Sequence, residues 1–243
     1  MAVQLIYPSV KLLFNTCKKG GITIVYDFHT HSFLSDGELS PVELIRRAIV
    51  NGYSAIAVTD HVGPGNLERV VAELQKECRL VEEYWPIKAI PGVELTHVPA
   101  GSVAQLAAAA RNYGAKIVVV HGETLVEPVE PGTNLAAVSC PMVDILAHPG
   151  LLSEEEAKLA KTNGVFIEIT ARGGHNVGNG HVVKIGRAAG VNFLVNSDTH
   201  HPENLLTESW ARTVAKGAGL SEEEVERVIM KNPLLLLEKI DQR

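Results

Sequence analysis

Cysteine is scarce in these 243 residues: Cys17, Cys78 and Cys140 are far apart, odd in number and outside any CxxC spacing. That argues against both a disulfide framework and a thiolate zinc site. Long apolar runs are missing too, none approaching the roughly 20 residues of a membrane span. The opening stretch MAVQLIYPSVKLLFNTCKKGG lacks a basic leading region and is broken by Pro8 and Lys11, so it reads poorly as a signal peptide. A cytoplasmic location with no membrane partner is the resulting expectation. Positive charge is in deficit, with 22 Lys and Arg against 28 Asp and Glu and a net charge of −6. The chain therefore has no general attraction for phosphate backbones, and nucleic-acid binding would need a local basic patch or bound metal. Repeats, low-complexity tracts and interdomain linkers are absent as well. The expected organisation is an extension over residues 1–20 followed by one domain over 21–243; oligomeric state is not readable.

What is present is an alternation. Short Val- and Ile-rich runs, ITIVYDF, YSAIAVT, IKAIPGV, KIVVV, VDILA, GVFIEIT and VNFLVNS, are separated by longer amphipathic stretches such as PVELIRRAIVNG and NLERVVAELQKECRLVEEY. Buried parallel strands joined by helices have this pattern, and about seven strands are expected. Capping boxes are expected at Ser40 with Glu43, Ser153 with Glu156 and Ser221 with Glu224, the first with Pro41 at the first helical position. Gly52, Gly114, Gly164 and Gly190 stand where helices give way to strands, a place for left-handed C-terminal turns. Val126 to Asn134, VEPVEPGTN, reads as a proline-rich loop.

Residues able to bind metal gather at the carboxyl ends of these runs. ITIVYDF leads to His29 and His31, with Asp36 in the next loop; YSAIAVTD leads to His61, IKAIPGV to Glu94, KIVVV to His121, VDILA to His148, and VNFLVNS to Asp198 and His200. The steps are about 30 residues, the size of a strand-helix-strand repeat, so a closed or nearly closed barrel would bring all of them to one mouth. Residues two apart on an extended segment point the same way, so His29 and His31 can share a cation, as can Asp198 and His200. Imidazole and carboxylate without thiolate suit Zn, Mn or Fe better than Mg or Ca. A carboxylate such as Glu94 has two oxygens and can bridge two ions. One strand-end histidine alone is more often structural, but nine such residues on consecutive strands fit the face where barrel enzymes place their chemistry.

In FHTHSFLSDG, VTDH, PGVE, VVHGE, LAHPG and NSDTH the chain resembles the PHP family, named for its polymerase and histidinol-phosphatase members. The resemblance implies a distorted (β/α)7 barrel, TIM-barrel-like, with three divalent transition-metal ions. Carried over residue by residue, one ion takes His29, His31, Glu94 and Asp198; a second shares Glu94 with His121 and His148; a third takes Asp36, His61 and His200. The implied reaction is hydrolysis of a small phosphomonoester, histidinol phosphate being the namesake, by a hydroxide held between cations. Glu94, Asp198 and His200 would carry the catalysis, and a metal-bound water, His200 or His201 is a candidate to protonate the leaving group. A phosphodiesterase or nuclease acting on nucleotides or DNA ends is the close alternative. Amide hydrolases with HxH on a first barrel strand fit less well, because the bridging lysine many of them carry at the fourth strand end is replaced here by His121. A non-catalytic metal-binding module is disfavoured by the complete ligand set.

Outside that set, Arg172 is the candidate to grip a phosphate bidentately, with a rim salt bridge as the competing role. His175 and His201 are further substrate-binding candidates. His97 and His181 read as surface or hydrogen-bonding residues, and Glu168 lines the barrel or orients a ligand, the structural role being preferred. The glycines of GVFIEITARGGHNVGNGH match no nucleotide-binding spacing.

Overall fold

The Val- and Ile-rich runs form parallel strands in a computed structural model that describes residues 24–243. The expected extension, residues 1–20, and Cys17 lie outside the described residues. Strands β1 (Val25–Asp27), β2 (Tyr53–Val58), β4 (Lys88–Leu95), β5 (Ile117–His121), β6 (Ile145–Ala147), β7 (Phe166–Thr170) and β8 (Phe193–Asn196) follow one another around the sheet. An eighth, two-residue strand, β3 (His61–Val62), pairs with the carboxyl end of β4 and sets His61 beside Glu94. Thus the seven expected strands form the wall, and β3 is an addition that its brevity hides from a pattern reading.

Helices alternate with the strands: α1 (Pro41–Val50), α2 (Leu67–Tyr84), α3 (Val103–Tyr113), α4 (Thr133–Val138), α5 (Glu154–Asn163) and α6 (Asn179–Ala189). After β8 come α7 (Glu208–Gly217), α8 (Glu222–Glu226) and α9 (Asn232–Asp241). None of the described helices is long and apolar enough to cross a membrane. Ser153 and Ser221 form the expected capping boxes. Ser40 accepts from the Glu43 amide, but the Glu43 side chain turns forward to Arg47, so that start is a cap without a box. Thr133 and Asn134, expected in the proline-rich loop, open α4 instead.

The ring closes beyond β1 and β8. His31 N donates to Thr199 O at 2.8 Å and Asp198 N to His29 O at 3.0 Å, while Phe28 N donates to the Asn196 side chain at 3.0 Å. The result is a nearly closed parallel α/β barrel of the TIM-barrel-like kind, joined where the ligand-type residues sit. Two apolar layers hold it. Outward residues such as Val118, Val120 and Leu146 pack under the helices; inward Phe28, Ile90, Ile117, Val119, Ile145 and Leu194 fill the barrel. Leu236 and Ile240 of α9 join the inner layer from below, so the helix seals the amino-terminal end.

Candidate metal centre

Strand alternation carries several donors inward. On β5 the inner positions Ile117 and Val119 lead to His121, and on β4 Ile90 leads to Glu94. His148 falls one residue out of phase with Ile145 and Ala147, and its left-handed backbone (φ 25°) breaks the alternation. Asp198 also has positive φ, 54°. Such non-glycine conformations are sparse and concentrate at functional sites. The loop bearing Asp36 is pinned by Asp60, which accepts from Ser32 N at 2.8 Å, Ser32 Oγ at 2.7 Å and Ser35 Oγ at 2.7 Å. Gly37 must be glycine there, because a Cβ would sit 2.4 Å from His31 O.

The mouth brings all nine sequence-predicted donors together. Glu94, fully buried, lies at the middle: Oε1 is 3.3 Å from His29 Nε2, 3.2 Å from His121 Nδ1 and 3.7 Å from His148 Nε2. Its Oε2 is 2.6 Å from His61 Nδ1 and 3.7 Å from His31 Nε2. Asp198 stands opposite, Oδ1 at 3.2 Å from His31 Nε2 and Oδ2 at 3.7 Å from His148 Nε2. Asp36 Oδ1 lies 3.4 Å from His61 Nε2 and 3.3 Å from His200 Nε2. Among the described residues, donors close enough to hold one ion occur as His29 with His31 and Glu94, His29 with His148 and Asp198, Glu94 with His121 and His148, and His31 with Asp36, His61 and His200. His31 thus also faces the third group, to which it was not assigned from sequence.

Two features fit cations. His29 Nε2, both nitrogens of His31, His121 Nε2 and His148 Nδ1 are buried without a hydrogen-bond partner, a costly state for polar atoms unless something else binds them. The charges are also interlocked. Burial would push the Glu94 and Asp198 carboxyls up, but the imidazoles around them, His29 foremost, hold both well below the usual carboxylate range. Burial lowers His31 to about 4 and His148 to about 3, leaving both as neutral lone-pair donors near neutrality. At His61 and His121 burial is overcome by carboxylates, Glu94 with Asp36 and Glu127 with Glu94, and the imidazoles rise to about 10 and about 9.

Glu168 proves to touch a predicted donor. Fully buried, its Oε2 lies 2.8 Å from His29 Nδ1 and accepts from Asn196 Nδ2 at 2.9 Å. Burial lowers the His29 imidazole, but Glu168, Glu94 and Asp198 raise it well above its ordinary range; with Nδ1–H held by Glu168, Nε2 is the nitrogen that would yield its proton to a cation, Glu168 then being the usual outer carboxylate of a metal-bound histidine. Arg172 reaches the mouth, where Nη1 donates to Asp198 O at 3.3 Å. His175 is there too, its Nδ1 2.7 Å from Thr124 Oγ1. Both line, with His97 and Glu127, a cavity of about 270 Å³ over the cluster. His201 stands outside that lining, its exposed ring 3.2 Å from Glu38, and His181 bonds to Leu152 O away from the site. Asp60 and Glu127 escaped the sequence reading. Asp60 could have been flagged by its place beside His61 at a strand end, whereas Glu127 sits in a loop without periodicity. Cys78 and Cys140 are buried free thiols.

The PHP domain profile matches residues 27–171. An uncharacterized protein of Methanocaldococcus jannaschii is 47% identical over 216 residues, spanning 88% of this chain and 99% of that protein. A probable phosphatase of Thermoanaerobacter sp. strain X514 is 28% identical over 231 residues, 83% of this chain and 89% of its own length. A chain of an archaeal ribonuclease P solved with mature tRNA shares the fold, with a TM-score of 0.67 at 16% identity over 88% of this chain and 91% of that one. With the profile covering more than half of the residues, and a nearly full-length relative, the chain belongs to the PHP domain family and is a metal-dependent hydrolase of phosphoester bonds.

Proposed function

We propose that the chain hydrolyses a small phosphomonoester, as a histidinol phosphatase does, at a centre of three divalent transition-metal ions. His29, His31, Glu94 and Asp198 would hold one ion; Glu94, His121 and His148 a second; Asp36, His61 and His200, with His31 alongside, a third. Bound there, the ions would supply Lewis acidity toward a phosphoryl oxygen and an acidified water. The chain's own groups do the rest. Glu94 spans the first two positions with its two oxygens, Glu168 fixes the tautomer of His29, and Arg172 is placed to take the phosphate's remaining oxygens through its planar fork. His200, with Nδ1 donating to Asp198 O at 3.0 Å and Nε2 facing Asp36, is oriented to hold the third ion.

The observation that carries the monoester reading is the cavity. At about 270 Å³ it falls below the roughly 300 Å³ where ordinary ligand pockets begin. Among the described residues, Arg172 is the single Lys or Arg in its lining. A nucleic-acid track would use several cationic phosphate contacts, which favours a small substrate over DNA ends or RNA. The test is a panel of phosphomonoesters, linear and cyclic phosphodiesters and amides, with Mn or Zn supplied. Preferential monoester turnover is expected; turnover confined to diesters or amides would overturn the reading.

Two binding results should accompany it. Purified protein supplied with Mn or Zn should retain up to three equivalents, because nine donors exceed the needs of one or two ions with open positions; elemental analysis finding one at most would defeat the three-ion assignment. Glu168→Gln should weaken metal affinity by about 10- to 100-fold, since the neutral amide no longer polarises His29. Calorimetric titration with unchanged affinity would return Glu168 to a purely structural role.

A further inference from the structure

Glu127 belongs to none of the groups above, yet three imidazoles from separate parts of the chain converge on it. Its Oε2 is 3.0 Å from His97 Nε2 and 3.0 Å from His121 Nε2; its Oε1 is 3.3 Å from His175 Nε2. His121 Nε2 nevertheless makes no hydrogen bond, so the carboxylate approaches it out of line with the ring N–H direction. The same combination, a buried imidazole nitrogen within 4 Å of a carboxylate oxygen but unbonded, marks His29 Nε2 and His31 Nε2 in the inner cluster. His97 Nε2 shares a hydrogen bond with Glu127 Oε2, and the unbonded His121 Nε2 lies 3.0 Å from the same oxygen, so the three donor atoms crowd one part of the mouth. His97 is also the third non-glycine residue with positive φ, 50°, beside His148 and Asp198.

We propose that His97 Nε2, His121 Nε2 and Glu127 hold a further divalent cation at the mouth. Their donor atoms lie within 4.8 Å of one another. Two imidazoles and a carboxylate suit zinc, and the partial exposure of His97 and Glu127 leaves coordination positions for water or substrate. The site rests on the three-ion reading in one respect: it shares His121, whose Nδ1 faces Glu94 at 3.2 Å while Nε2 faces outward. Filling both sides displaces the ring's remaining N–H proton to solvent, and two of the three donors are part exposed, so the outer position fills last and binds more weakly than the inner ones.

Dialysis of apo wild type, His97→Ala, Glu127→Gln and the double variant against graded free zinc, with bound zinc measured by elemental analysis, tests this. Both single variants should lack the same, weakest equivalent of the wild type, the double variant should lack no more, and melting temperatures should match, since both side chains are part exposed. Wild-type stoichiometry in both single variants would overturn this proposal and leave the inner centre standing. A deficit in Glu127→Gln but not in His97→Ala would overturn it as well, making Glu127 an orienting partner of His121. Wild type that binds no zinc at all would remove the inner centre with it.

Discussion

Glu94→Gln is expected to lower kcat by about 1000-fold or more, a loss of roughly 4 kcal/mol of transition-state stabilisation, with the fold retained. Glu94 faces five imidazoles, three through Oε1 and two through Oε2. Glutamine keeps the shape but offers one oxygen; the other position becomes an NH2 group that only donates. A donor turned toward a cation repels it, so one of the two positions sharing Glu94 should lose its bridging ligand. The effect should appear in steady-state turnover at saturating metal, with circular dichroism and melting temperature as controls for folding. Turnover near that of wild type would show that Glu94 bridges nothing.

The convergence of these side chains on one mouth was legible because they stand at the ends of consecutive strands. Glu94, His121 and Asp198 continue the inward parity of their strands, whereas His29 and His31 share a side with each other but are out of phase with the inward Phe28. The glycines at 52, 114, 164 and 190 all adopt the left-handed conformation expected of them. What could not be read depends on contacts between distant segments. The seal made by Leu236 and Ile240 looks in sequence like any amphipathic helix. Glu168 lies 139 residues from His29, and its bond to that ring is set by the curvature of the barrel. Glu127 lies in a proline-rich loop whose position follows from tertiary bonds, among them Glu123 Oε1 accepting from Gly132 N and Asn134 N at 2.9 Å each. His148 was identified by its place after VDILA, although its side-chain direction depends on a backbone angle that no pattern encodes.

Arg172→Ala should reduce kcat/KM for the best monoester by about 10- to 1000-fold, or roughly 1.4 to 4 kcal/mol, while affecting a simple diester much less. Among the described residues Arg172 is the only guanidinium lining the cavity and no carboxylate pairs with it; half-buried and steered by a bond from Nη1 to Asp198 O, its fork stands beside the cluster. A terminal phosphomonoester carries about two negative charges near neutral pH and has three non-bridging oxygens, enough for paired charge-assisted bonds to the fork in addition to the metals. A diester has one charge and two such oxygens, and leans on the arginine less. Arg172→Lys should recover only part of the loss, because an ammonium restores the charge but not the planar geometry. The decisive quantity is the ratio of the two losses. A small and equal effect on both substrates, with metal content and melting temperature unchanged, would leave Arg172 as a rim residue that braces the Asp198 backbone and would remove the reason for preferring monoesters on its account.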